Sequence, residues 1–395
     1  MRRNTWVFYF FIILFTAILS INLVWRFTPI RAEISGTVQQ RLRPYLGDSF
    51  TLNDFSVGFG YMSFSDISIG NPEDRFILNL EEIQIGFSIH KLLYNNFDPL
   101  RVIESVTFKN PKLLFIIEKK DSTESESRKK INLSEIISGF RKLAEIDRIL
   151  IEKGQIHWGK THESTTNLIS ELNGFLVIKS IDSVSLHLQG KLFESESPDL
   201  HLTGDIHLSR ENLDILADIQ SSRIEESIPF LNSKSFVLKE ADASGKVRIH
   251  SETFLINDFN LSGEILVENM QGLLFDQRLH ANTFYIKFQK HQILLSPVSG
   301  KVEDGRFTLN GNLGSIFQPE LNFSIHCEDL SVKHLKTSVP ILELLDRGKI
   351  QGDIETAGPP SKLFISGDIN SSKLYYAIVP FSRGRCVRVS CRGSL

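Results

Sequence analysis

The feature that most constrains the fold is a period-two alternation of apolar and polar residues, repeated through most of the second half of the chain. Leu321, Phe323 and Ile325 would fall on one side of an extended chain. Asn322 and Ser324, which alternate with them, would fall on the other side. This alternation is typical of a sheet with one apolar and one polar face. The sequence therefore predicts a mostly β protein with an antiparallel sheet and a few short helices.

A short glycine motif recurs in the same part of the chain. Glycine, then a polar residue, then Ile, Leu or Val occurs at Gly245, Gly263, Gly311, Gly352 and elsewhere. Each glycine is expected at a turn or a bulge where a strand starts. The repetition suggests a sheet that elongates by adding similar units.

The N-terminus carries the strongest local signal. Residues 6–25 form twenty residues without a charge, and twenty helical residues rise about 30 Å, the thickness of a bilayer core. Arg2 and Arg3 precede this segment, which predicts a cytoplasmic N-terminus and a single-pass anchor at residues 1–27. A cleaved signal peptide is the alternative, although its apolar region is normally shorter, about 7–15 residues.

Composition shifts divide the rest of the chain. A first β domain is predicted at 28–117. Residues 118–131 read as a polar linker, and 132–380 read as a repetitive sheet that begins with an amphipathic helix at 132–146. The last segment, 381–395, is an atypical basic tail with four arginines, two cysteines and no acidic residue.

An amphipathic helix is predicted before the first strand. Ile34, Val38, Leu42 and Leu46 recur every four residues, and Gly47 follows them. This spacing places one apolar stripe along a helix that leaves the membrane.

Several function classes find no support in the sequence. The net charge of -3 gives no electrostatic case for nucleic acid, and three cysteines do not make a disulfide framework. No phosphate-binding loop, zinc-protease motif or nucleophile elbow occurs. Histidines such as His187, His201 and His326 occupy the polar phase of alternating segments, which favours solvent-facing side chains over metal ligands. We expect no enzyme activity, cofactor or metal.

The order of elements resembles the N-terminal region of AsmA-like proteins, a family that includes TamB-like proteins. The resemblance rests on strands joined by a Gly70-Asn71-Pro72 turn, a short helix, and a strand that ends at Asn110-Pro111. The segments ILIEKGQIHW at 149–158 and GKIQGDIETAGPPSKLFISGDINSSKLYYAIVPF at 348–381 are also similar to this family. The likeness covers residues 1–381.

This resemblance implies a bacterial inner-membrane protein whose bulk lies in the periplasm as an elongated, curved β-sheet groove of the β-taco type. Family members are implicated in phospholipid transport between the inner and outer membranes, and they are similar in shape to bridge-like lipid transfer proteins. An envelope scaffold or outer-membrane protein assembly factor, with an envelope protein as partner, is the alternative function. On the transport reading, ten residues are candidates for a lipid groove: Leu186, Leu188, Leu200, Leu202, Phe284, Ile286, Phe288, Leu321, Phe323 and Ile325.

The sequence allows two alternatives for what covers the apolar face. Two sheets could pack face to face as a closed sandwich, or the face could remain open to acyl chains. Burial is worth about 0.8 kcal/mol per methylene, so a chain of ~14 methylenes could gain on the order of 11 kcal/mol before entropy losses.

The basic tail at 381–395 departs from the family pattern. It is expected to be either an altered or truncated gene end or a segment that contacts anionic lipid head groups.

Overall fold

A computed structural model describes the chain in segments, mostly strands with the turns that join them. The described residues are 35–37, 39–40, 43, 50–58, 60–70, 76–88, 103–116, 148–159, 165–180, 182–193, 195–207, 210, 212–225, 236–252, 259–274, 277–314, 320–331, 345–359, 363–376 and 379–393. Within them the protein is mostly β, as predicted, and helix occurs only at 35–37, 39–40 and 43.

The chain divides into two compact units, Met1–Leu188 and Gln189–Leu395, with the boundary inside strand β8. The strands up to this boundary are β1 Thr51–Gly58, β2 Tyr61–Ile69, β3 Phe76–Phe87, β4 Ile103–Lys109, β5 Lys112–Ile116, β6 Arg148–Gly159, β7 Thr165–Ser180 and β8 Ser183–Leu192. Those after it are β9 Leu200–His207, β10 Asn212–Glu225, β11 Phe236–Ser251, β12 Asn260–Leu274, β13 Gln277–Ala281, β14 Phe284–Lys290, β15 Gln292–Val302, β16 Gly305–Leu313, β17 Leu321–Ser331, β18 Leu345–Gly358, β19 Leu363–Tyr376 and β20 Val379–Gly393.

The first unit mixes antiparallel and parallel pairing. Strands β1, β2 and β3 pair antiparallel in sequence order, and β3 then pairs with β5 along its first part and with β4 along its last part. Asn110, with φ of 47°, and Pro111 separate β4 from β5. The Asn110 N–H donates to the carbonyl of Glu152 on β6 at 2.8 Å. Strands β4 and β5 therefore act as one long strand with a break in the middle.

The pairing of β6 with β4 and β5 is parallel, which corrects the expectation of an antiparallel sheet throughout. Val106 lies opposite Ile149, and Lys112 lies opposite Gln155. A parallel pair needs a crossover connection of a dozen or more residues. The predicted linker and the predicted helix at 132–146 fall in that connection, residues 117–147, which lies outside the described residues.

The core of the first unit forms around the first three strands. Phe50, Leu52, Ile67 and Leu80 are buried in one cluster. The Nε2 atom of Gln39, a helical residue, donates to the carbonyl of Phe50 at 3.1 Å. The short helix therefore contacts the segment that enters β1, whereas the apolar stripe predicted for this helix lies outside the described residues.

The second unit is a simple antiparallel meander. Each strand from β9 to β20 pairs with the next along the chain, except that β13 and β14 share one position between β12 and β15. The antiparallel prediction is confirmed for this unit. Because the strands pair in sequence order, residues that point to the same side of neighbouring strands line up across the sheet of this unit.

The predicted anchor at 1–27 lies outside the described residues. Within the part of the chain that the structure describes, no helix combines the length and the hydropathy needed to span a bilayer.

Candidate functional site: an apolar sheet face

The strand register of the second unit collects the apolar residues on one face of the sheet. Directly opposite residues in antiparallel pairs share a face. One such line crosses ten strands, nine spacings of about 4.8 Å or roughly 43 Å along the sheet. Its members, in spatial order, are Leu200, Ile219, Gly245, Ile265, Ile286, Leu295, Gly311, Phe323, Thr356 and Ile365. We call the side that carries this line the apolar face and the opposite side the polar face.

Eight of the ten residues predicted from sequence lie on this apolar face. The register brings together Leu200, Leu202, Phe284, Ile286, Phe288, Leu321, Phe323 and Ile325. The alternating residues behave as expected, because Tyr285, Lys287 and His326 are exposed on the polar face. The other two candidates are on β8, where Leu186 is buried and Leu188 is half-buried. Contact of any of the ten with lipid stays a prediction.

Burial varies across the apolar face. Ala281 and Val298 are only 1% and 4% exposed. Ile286, Phe288 and Phe323 remain half-buried, although they are large and apolar. The face is therefore closed along one strip and partly accessible along another.

The buried strip follows a line of β-bulges. The pairing is interrupted at 220–222 of β10, 238–242 of β11, 268–271 of β12 and 295–298 of β15, and the junction of β13 with β14 lies beside them. Bulges bend a strand and increase its twist. We call this feature the bulge line.

Side-chain packing joins the two sides of the bulge line. One buried cluster contains Val267 and Phe284 from one side of the line, Ala281 and Val298 from the other side, and Ala241 from the interrupted stretch of β11. Leu238 completes this cluster. Apolar contacts therefore stabilise the sheet where its strands are interrupted.

A buried polar network fixes the bulge of β10. Ser222 is fully buried, and its hydroxyl donates to the carboxylate of Asp199, which is itself 4% exposed. The N–H of Leu192 donates to the same carboxylate at 2.8 Å, and the N–H of Gln220 donates to the carbonyl of Asp199 at 2.8 Å. Buried polar groups need such partners, so this carboxylate holds the bulge in place. Sequence reasoning missed Asp199, because an acidic residue in a turn gives no signal of burial.

Glycines lie inside the strands rather than at their starts, which differs from the sequence expectation. Gly245 and Gly311 have φ of 150° and 151°, a region that L residues rarely adopt. A Cβ atom at Gly245 would lie 2.2 Å from the carbonyl oxygen of Glu264, and one at Gly311 would lie 2.1 Å from that of Asn322. Only glycine fits these two positions, where the backbones of neighbouring strands approach closely.

Alternating charges mark the polar face. Asp218, Lys246, Glu264 and Lys287 lie directly opposite one another on four neighbouring strands. The Nζ atom of Lys246 is 2.9 Å from the Asp218 carboxylate, and Lys287 is 3.9 Å from Glu264. Opposite charges on facing strands favour this register.

Two further polar-face pairs shift the pKa values of their members. A hydrogen bond from Arg248 lowers the pKa of the Asp214 carboxyl below its ordinary value. His326 lies 2.7 Å from Asp353, and this hydrogen bond raises the pKa of the imidazole. Both pairs are exposed to solvent, so each contributes little to stability.

In β17 the apolar phase of the alternation continues to Cys327, where the pairing with β18 is interrupted. Its side chain is fully buried, its Sγ contacts the carbonyl of Gly352 at 3.3 Å, and burial raises the pKa of the thiol.

Sequence reasoning missed Val267, Ala281 and Val298 as core residues. The breaks in alternation beside them were the available signal, most clearly at Pro297, because proline inside a sheet is confined to edges and bulges.

No metal centre is evident in the described part of the chain, where no three His, Cys, Asp or Glu side chains lie close enough to hold an ion. No family model, no curated protein and no solved structure matches this chain. The apolar face is therefore the candidate functional site on its own geometry.

Proposed function

We propose that this protein shields the acyl chains of phospholipids on the apolar face of its second unit and contributes to phospholipid transport between the inner and outer membranes. Residues 6–25 tether it to the bacterial inner membrane, with the N-terminus in the cytoplasm and the bulk in the periplasm. The sheet forms an elongated, curved groove, and the lipid moves along it without a chemical step.

One observation carries this proposal. Large apolar residues from β9, β10, β12, β14, β15 and β17 align on one face, yet Ile286, Phe288, Leu321, Phe323 and Ile325 remain half-buried in the described structure. The inner faces of a closed sandwich interdigitate and bury such side chains completely. Partial exposure of an aligned apolar surface marks an interaction site.

The arrangement of buried and half-buried residues supports a groove. Bulges bend strands, and the most buried residues, such as Ala281 and Val298, lie along the bulge line. The bulge line would then form the floor of the groove, and the half-buried residues would form its accessible wall. The length of the apolar line, roughly 43 Å, exceeds the thickness of a bilayer core, about 30 Å, so the wall is long enough for a whole acyl chain.

Burial energies are compatible with movement along such a wall. A chain of ~14 methylenes gains on the order of 11 kcal/mol on leaving water, which is close to what the bilayer itself offers. The wall contains repeated aliphatic and aromatic side chains and no charge in its central line. Equivalent positions along the wall would bind a chain with similar energy, so no single position would trap it.

The test is lipid extraction from the purified full-length chain, followed by mass spectrometry. We expect phospholipid in the wild-type protein and about tenfold less in Phe323→Asp, because a carboxylate on the wall would have to be desolvated by the acyl chain. Asn322→Asp is the matched control, since it adds the same charge to an exposed position on the polar face. Circular dichroism of both variants checks that the sheet remains folded.

Two results would refute the proposal. The first is wild-type protein without phospholipid in several detergents. The second is equal lipid content in Phe323→Asp and Asn322→Asp. A stoichiometric envelope protein that co-purifies with all three forms would instead favour the scaffold or assembly function.

A further inference from the structure

The polar face of the second unit carries a concavity that the proposed function does not use. Its volume is about 430 Å³, and it lies over β13, β15, β16 and β17. Its polar lining includes His280, Asn282, Lys301, Arg306, Thr308, His326 and Glu328.

The charge pattern in this concavity differs from that of the rest of the polar face. His280, Lys301 and Arg306 lie directly opposite one another on three neighbouring strands, and we call these three residues the basic row. Like charges directly opposite one another destabilise strand pairing. The alternating row Asp218–Lys246–Glu264–Lys287 shows that the same sheet elsewhere pairs opposite charges.

The basic row has one acidic neighbour in the lining of the concavity, Glu328. In the described part of the chain, Lys301 and Arg306 form no ion pair. Glu328 is opposite Arg306 in register, but its carboxylate lies 3.7 Å from Nε2 of His326. The concavity therefore holds two cationic side chains, Lys301 and Arg306, against one carboxylate.

Neutral donors complete the lining. The hydroxyls of Thr308 and Ser299 lie 3.4 Å apart, and Thr308 is directly opposite His326 in the row beside the basic row. Asn282 contributes an amide at the edge of the concavity. A guanidinium, an ammonium and hydroxyl donors together match the oxygens of a phosphate group better than a single carboxylate.

We propose that this concavity is a phosphate-binding site in which Lys301 and Arg306 provide the charge and Thr308 donates a hydrogen bond. The ligand is inorganic phosphate or a phosphate ester such as a glycerophospholipid head group. Binding would relieve the repulsion between Lys301 and Arg306. The site lies on the opposite side of the sheet from the apolar face. Phosphate binding can therefore be tested independently of lipid shielding.

The test is isothermal titration of the full-length protein in detergent, with inorganic phosphate and with glycerol 3-phosphate as separate probes. We expect binding to the wild type and a loss of affinity of about tenfold or more in Lys301→Gln. Lys287→Gln, a neutralisation on the same face outside the concavity, is the matched control and should bind like the wild type.

A second variant separates binding from folding. Lys301→Glu places an acid opposite both Arg306 and His280, so its thermal stability should equal or exceed that of the wild type while phosphate binding is lost. Tighter binding of glycerol 3-phosphate than of inorganic phosphate would assign the site to an esterified head group, and the reverse would assign it to free phosphate. Absence of binding by both probes, or binding unchanged in Lys301→Glu, would overturn the proposal.

Discussion

The two faces of the second unit are stabilised in different ways. The apolar face has aligned apolar side chains, interrupted strands along the bulge line and in-strand glycines at close backbone approaches. Among the described residues, the polar face has exposed cross-strand ion pairs and no buried cluster. One face therefore supplies most of the packing energy, and the other mainly favours the register.

This difference separates the features of such a sheet that folding requires from those that are free for function. The buried cluster along the bulge line, which includes Ala281 and Val298, is packed against itself, so its side chains cannot also bind a ligand. Half-buried wall residues such as Phe323 contribute less packing and keep a surface for an occupant. Substitutions on the two faces can test this division.

The largest effect is expected at the bulge line. Phe284→Ala should lower the free energy of unfolding by about 3–5 kcal/mol, because it leaves a cavity in the buried cluster. Tyr285→Ala, one residue away on the polar face and 41% exposed, should lower it by less than about 1 kcal/mol. Urea unfolding of both variants measures the difference. Equal losses would mean that the two faces are not distinct.

An intermediate effect is expected at the in-strand glycines. Gly245→Ala should cost about 2–3 kcal/mol, since the new Cβ would collide with the carbonyl of Glu264 and the backbone would be strained. Ser244→Ala, the neighbouring position with ordinary backbone, should change stability by less than about 0.5 kcal/mol. Thermal unfolding would show this contrast as a lower Tm for the first variant alone. An unchanged Tm for Gly245→Ala would show that the strands can separate at that point without cost.

A small, acid-sensitive effect is expected for the exposed pair Arg248–Asp214. The hydrogen bond from Arg248 holds the pKa of Asp214 below its ordinary value of 3.8. The stability it contributes is therefore present above pH 3.8 and is lost as the pH falls through the folded-state pKa. Arg248→Gln should have a slightly lower free energy of unfolding than the wild type at neutral pH, and this difference should disappear in acid. A gap that is constant across the pH series would contradict this assignment.

The smallest effect is expected at His326, whose side chain is exposed on the polar face. Asp353 raises the pKa of this imidazole above 6.5, so the stabilisation is present below pH 6.5 and fades as the pH rises through the folded-state pKa. Asp353→Asn should remove this slope. NMR titration of the His326 ring should show its pKa moving down in the variant, and an unmoved pKa would be evidence against the pairing.

Period-two alternation was enough to assign the faces of the second unit. Leu321, Phe323 and Ile325 share the apolar face with Phe284 and Ile286, as predicted, because the side-chain period of a strand is independent of its partners. The sequence did not reveal the parallel pairing of β4 and β5 with β6, since pairing direction depends on how a long connection returns and not on local pattern.

Positions set by tertiary contacts were also missed. The burial of Asp199 depends on Ser222 and Leu192, which come together only when β10 forms its bulge. The in-strand location of Gly245 depends on how closely the neighbouring backbone approaches. The repulsion between Lys301 and Arg306 requires the strand register, which alternation alone does not fix across strands.

The most direct test of lipid shielding is photocrosslinking at adjacent positions of β17. A photoreactive amino acid at Phe323 should crosslink to phospholipid in intact cells, and the same amino acid at Asn322, on the polar face, should not. Crosslinks at neither position, or equal lipid crosslinks at both positions, would contradict an apolar face that is occupied by acyl chains.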